Sequence, residues 1–145
     1  MKSAYRVLAL LIALGVAVQA ASIAYGWFQV ISDVDAGAVY TSDTELNAGH
    51  ALHGTVGVMV IPLLAVALLI VAFFARLRGG VRSAVIIFVL VVVQIALAFA
   101  AFGAPIVGAL HGLNALAILG TALTASRLGS RPRAGAAAPA SRAAA

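Results

Sequence analysis

The chain has 145 residues, of which 64% are hydrophobic and 9% charged, with no cysteine and a formal net charge of +5. A soluble domain of this size is near half apolar and a quarter charged, and so much apolar surface cannot be hidden inside one small core. The implied solvent is lipid, and a disulfide scaffold, a thiolate metal site, an iron–sulfur cluster and a cysteine nucleophile are excluded.

Four stretches reach the roughly 20 mostly apolar residues that a helix needs to cross hydrocarbon: about Tyr5–Phe28, Ala51–Phe74, Ser83–Phe102 and Pro105–Ala125. Residues 1–128 thus read as one four-helix transmembrane domain. Arg76-Leu77-Arg78-Gly79-Gly80 separates spans two and three, and Gly103-Ala104-Pro105 separates three and four. Connections this short force antiparallel neighbours, so the expected fold class is an all-α membrane protein, an up-down-up-down bundle. Pro62 is expected to kink the second span. No 9–11-residue alternation of a barrel is present.

The charges set the expected orientation. Lys2, Arg6, Arg76, Arg78, Arg82, Arg127, Arg131, Arg133 and Arg142 fall on one side of the four spans. Asp33, Asp35, Asp43 and Glu45 fall on the other, within the long connection Gln29–Gly49. By the positive-inside rule both termini are cytoplasmic, and the protein is a multi-pass component of the plasma membrane. The basic excess then marks topology and implies no nucleic-acid partner. Lys2 and Arg6 followed by an apolar run and Val18-Gln19-Ala20 resemble a cleavable secretory signal. The apolar run continues to Phe28, which favours a retained first helix. Residues 129–145 are Ala, Gly, Pro, Ser and Arg, the composition of a disordered cytoplasmic tail.

The chain also repeats itself. Ala51-Leu52-His53-Gly54 in span two recurs as Ala109-Leu110-His111-Gly112 in span four. Val16-Ala17-Val18-Gln19 in span one is answered by Val91-Val92-Val93-Gln94 in span three. The Gln-to-His separation is 34 residues in the first half and 17 in the second, an excess close to the length of the acidic loop. The halves read as two parallel helix-pair repeats about an axis along the membrane normal. That axis would set His53 and His111 facing each other in the outer leaflet. Gly57 and Ala115, one turn on, leave room for a flat ring.

Polar groups within hydrocarbon carry a functional expectation, and three readings are open. The first is axial ligation of one haem b by His53 and His111, with Gln19 and Gln94 as supporting partners of the imidazoles. The second is structural packing, in which His53, His111, Gln19, Gln94 and Asn114 bond across helices. The third is an outer-face copper or zinc site that adds His50, near Asp43 and Glu45. Three histidines cannot serve two bis-imidazole haems. No nucleophile–base pair, phosphate loop or carboxylate pair supports an independent enzyme.

Gln19, His53-x-x-x-Gly57 and His111-Gly112-Leu113-Asn114-Ala115 are the residues on which two resemblances rest. The whole chain resembles a family of small actinobacterial four-helix membrane proteins of unknown function. More distantly it resembles one four-helix half of haem A synthase, where a His-x-x-x-small motif opens the second span and His-x-x-x-Ala follows in the fourth. That resemblance implies that His53 and His111 are the axial pair of one b-type haem. This chain has Gly54 where haem A synthase has Arg, and Glu45 is offset from its outer-loop carboxylate. The expected roles are a redox relay, a haem-handling protein or a subunit of a larger membrane oxidoreductase. The alternative is a cofactor-free accessory subunit. The expected partners are the lipid bilayer, a larger membrane complex or a second copy of the chain.

Overall fold

The computed structural model describes residues 1–129 and is helical almost throughout. The sequence reading of a tail concerns residues that, from 130 onward, lie outside the described ones. Helix α1 covers Lys2–Asp35, α2 Ala48–Thr55, α3 Ile61–Ala75, α4 Gly80–Gly103 and α5 Val107–Leu128. A single π-helical turn, Val56–Val60, joins α2 to α3 and makes them one continuous span. Four helical segments, Lys2–Asp35, Ala48–Ala75, Gly80–Gly103 and Val107–Leu128, are long and apolar enough to cross a membrane.

Helix α1 is longer than its apolar stretch suggests. Its last seven residues, Gln29–Asp35, contain no glycine or proline, so nothing stops the hydrogen-bond ladder where hydrophobicity ends. Gly37, with φ of +97°, lies just past its end, a conformation that glycine adopts without Cβ strain. The connection to α2 is therefore residues 36–47, shorter than the Gln29–Gly49 segment read from composition. Asn47 starts α2: its side-chain oxygen accepts from the His50 backbone N–H at 3.0 Å. Its amide nitrogen donates to the Gly26 carbonyl at 2.8 Å. One side chain thus caps α2 and ties it to α1.

Helices pack in a ring, α1 on α3, α3 on α4, α4 on α5 and α5 back on α1. The first and third spans, and the second and fourth, accordingly lie on the diagonals. The Tyr5 hydroxyl, buried, donates to the Gly80 carbonyl at 3.0 Å, and Gly129 lies against Arg6 and Lys2. The starts of α1 and α4 and the end of α5 therefore gather at one end of the bundle.

The core fills only the half of the bundle at that end. Its buried apolar residues run from Tyr5 to Val16 on α1, Ile61 to Ala75 on α3, Ala84 to Val91 on α4 and Ile118 to Ala125 on α5. Eight of the sixteen are alanine, which lets the backbones approach closely. Beyond Val91 and before Ile118, α4 and α5 bury no residue at all. In the same half of the first two spans only Ser22, Gly26 and Gly49 are buried.

Burial also follows the internal repeat. Ala9, Ile12 and Val16 are buried on α1, and Ala84, Ile87 and Val91, each 75 positions later, are buried on α4. On the second and fourth spans, Ile61, Ala65 and Leu68 pair with Ile118, Ala122 and Ala125 at an offset of 57. The histidines are offset by 58. The extra residue before Ile61 is taken up in the π turn, which widens one helical turn by one residue. Pro62 lies two residues past that turn, in the first turn of α3.

Candidate functional site

Where the packed core ends, the repeated polar residues come together. Gln19 lies three residues past Val16 and Gln94 three past Val91, both on faces directed into the bundle. His53 Nδ1 lies 3.1 Å from the Gln19 carbonyl oxygen, and His111 Nδ1 lies 3.0 Å from the Gln94 carbonyl oxygen. A carbonyl only accepts, so each Nδ1 carries the proton and each Nε2 keeps its lone pair. The two rings are 6.2 Å apart between centroids, with planes inclined by 59°. Residues 58 positions apart on diagonal spans therefore meet at one depth, each oriented by the backbone of the preceding helix of its own half.

The halves differ in what their glutamine side chains do. In the second half Asn114 Nδ2 donates to the Leu90 carbonyl at 2.9 Å and to Gln94 Oε1 at 2.7 Å. That fixes the Gln94 amide so that its nitrogen faces His111 Nε2 at 3.1 Å. Both ring nitrogens of His111 are thus held by one residue. In the first half the position matching Asn114 is Val56, which offers no donor. The Gln19 amide oxygen instead lies over Gly57, 2.8 Å from where a Cβ would stand. Gln19 Nε2 is buried without a partner, and His53 Nε2 makes no hydrogen bond among the described residues. The room made by Gly57 thus holds the Gln19 side chain, while Ala115 packs against the core.

His50 belongs to a different place. Its ring meets Trp27 edge-on, with centroids 5.1 Å apart. It lines a cavity of about 400 Å³ with Trp27, Tyr40, Thr44, Glu45 and Asn47. Among the described residues no group of three or more His, Asp or Glu side chains is placed to hold a metal ion. The copper or zinc set expected from His50, His53 and His111 does not form, because His50 is drawn to Trp27 while His53 turns inward to the Gln19 carbonyl.

The sequence reading placed the two histidines and two glutamines together and missed how they are joined. Gln19 supports its imidazole through its backbone carbonyl alone, and Gln94 through both its carbonyl and its side-chain amide. Asn114 bonds across to the neighbouring helix at Leu90 O, and its hold on Gln94 Oε1 is what sets the two halves apart. Comparing Asn114 with Val56 in the repeat carried that signal. Set against protein-family models, curated proteins and solved structures, the chain matches none.

Proposed function

We propose that this is a b-type cytochrome-like membrane protein that holds one haem between His53 and His111. The observation that carries the reading is the matched pair of Nδ1–carbonyl bonds with ring centroids 6.2 Å apart. Metal-bound histidines characteristically give their other nitrogen to a carbonyl or carboxylate, which fixes tautomer and raises basicity. Two metal–nitrogen bonds of about 2 Å, each extended by the radius of an imidazole ring, span about 6 Å between centroids. The unpartnered, buried Gln19 Nε2 beside His53 favours an additional occupant.

A bound haem would supply one-electron chemistry at a potential set by two neutral imidazoles and apolar burial. The chain's own contribution is to orient both rings through their Nδ1 protons, with the His53 Nε2 lone pair free of hydrogen bonds among the described residues and the His111 Nε2 under the Gln94 amide. The bundle is up-down-up-down, built from parallel repeats with both termini cytoplasmic, and the site lies in the outer leaflet. One haem there has no second cofactor to carry an electron to the inner face. An outer-side redox relay, a haem-handling protein or a subunit of a larger oxidoreductase follows.

A second reading is a cofactor-free accessory subunit, favoured by the satisfied Asn114–Gln94–His111 network. Colour separates the two. Protein purified from membranes of cells able to make haem is expected to show a Soret band and sharp reduced α and β bands. A colourless, stably folded preparation that also takes up no added haemin overturns the haem reading.

A further inference from the structure

The repeat makes two histidine sites that should be equivalent, and one residue in each half makes them unequal. At His111, Asn114 clamps the Gln94 amide, and Gln94 occupies both ring nitrogens, Nδ1 through its carbonyl and Nε2 through its amide nitrogen. At His53 the same clamp position is Val56, the glutamine turns away over Gly57, and Nε2 is left without a hydrogen bond among the described residues. The orientation of the Gln94 amide is decided by the chain of donors. Asn114 Nδ2 donates to Leu90 O and to Gln94 Oε1, so only the amine end of Gln94 is left for His111.

We infer that Gln94 is a displaceable cap on His111, so that the two histidines engage haem in order, His53 first and His111 only after Gln94 lets go. This rests on the haem reading above and adds the regulation of that same site. A neutral Nε2 lone pair that accepts an N–H bond cannot also bind a metal. His111 must therefore exchange one hydrogen bond for ligation, whereas His53 gives up nothing. The cost of that exchange is the cost of uncapping, about that of one neutral hydrogen bond plus the donor left without a partner. The two-imidazole state therefore carries an uncapping cost that the one-imidazole state at His53 does not. That suits a protein that accepts and releases haem more than one that keeps it permanently.

Removal of the cap has a signature in the haem-free protein as well. With Gln94 in place, the ¹⁵N spectrum of histidine-labelled protein is expected to show His111 as a single Nδ1–H tautomer with a hydrogen-bonded Nε2. In Gln94→Leu the Nε2 resonance should move to that of a free lone pair. Haemin titration of the full chain in detergent micelles then tests the order. The His111→Ala variant should bind haemin within a few-fold of the parent, as a five-coordinate high-spin species. His53→Ala should bind at least about tenfold more weakly, since its one remaining imidazole is capped.

Gln94→Leu should tighten binding by about tenfold and raise the low-spin fraction. It should also restore binding to the His53→Ala variant. Asn114→Val, which copies Val56, should do the same while leaving Gln94 present, and covers the case in which Gln94→Leu does not fold. Equal losses in the two alanine variants, or unchanged binding in both Gln94→Leu and Asn114→Val, overturn the cap and leave the bis-imidazole haem standing. If the parent protein takes up no haemin, the haem reading itself falls and the cap with it.

Discussion

Gly49 of α2 lies so close to α1 that a Cβ on it would stand 2.6 Å from both the Gly26 Cα and the Ser22 carbonyl oxygen. No side-chain rotation relieves a clash with backbone. Gly49→Ala is therefore expected to push α2 off α1 and destabilise the bundle by about 1–3 kcal/mol. Gly54, on the same helix, has nothing within 4 Å of its would-be Cβ, so Gly54→Ala should be neutral or stabilising by up to about 1 kcal/mol. Denaturant unfolding in detergent compares the two. Equal effects would show that α2 does not cross α1 at Gly26.

Single-histidine variants separate ligands from neighbours. Neither His53→Ala nor His111→Ala should show a bis-imidazole haem spectrum, whereas His50→Ala should keep it, because His50 packs against Trp27 in another cavity. Visible spectra of the reduced proteins read this directly. A bis-imidazole spectrum in the His53→Ala or His111→Ala protein would require a different axial pair.

The charge partition gives a test of orientation. The chain has no cysteine, so Asp43→Cys and Arg78→Cys each create a single labelling site. An impermeant maleimide applied to intact cells or spheroplasts should reach position 43, and position 78 only after permeabilisation. Labelling of both from the same side would overturn the topology.

Tyr40 donates its hydroxyl proton to an Asp33 carboxylate oxygen at 2.7 Å. That bond, and the negative charge beside it, raise the Tyr40 pKa above its ordinary 10.0. Ionisation would set two negative charges side by side, so Tyr40 keeps its proton to higher pH than a free phenol. Compared with the parent, Asp33→Asn should move the ultraviolet titration of one tyrosine back toward 10. No change in that variant would mean that the loop is not closed by this bond.

Tyr5 is fully buried and its hydroxyl reaches Gly80 O across 75 residues of sequence. Tyr5→Phe keeps the ring and leaves that carbonyl without the phenol, for an expected loss of about 1 kcal/mol. Thermal unfolding measures it. An unchanged midpoint would show that the carbonyl is satisfied otherwise.

Four apolar segments, their short connections, the acidic and basic ends and the repeated Gln and His positions were all legible before any coordinates. These are one-dimensional properties: the length of an apolar run against the thickness of hydrocarbon, and the local chemistry of a turn. The limits of α1 were less legible, since hydrophobicity ends near Phe28 but the helix continues to Asp35 until a backbone conformation stops it.

Tertiary structure alone decided how the site is wired. Whether His53 meets a glutamine side chain or a glutamine carbonyl depends on the rotation of α1 against α2, and Asn47 and the Gly26–Gly49 crossing set that rotation. The π turn was equally hidden, because one added residue in a helix is recognisable only once buried positions before and after it are matched to the other half. The inequality of the two imidazoles came last. It rests on one asparagine standing where the repeat has valine, and its effect passes through a side chain on a third helix. Hydrogen-bond geometry across helices is a property of their mutual rotation and depth, which no periodicity along a single segment encodes.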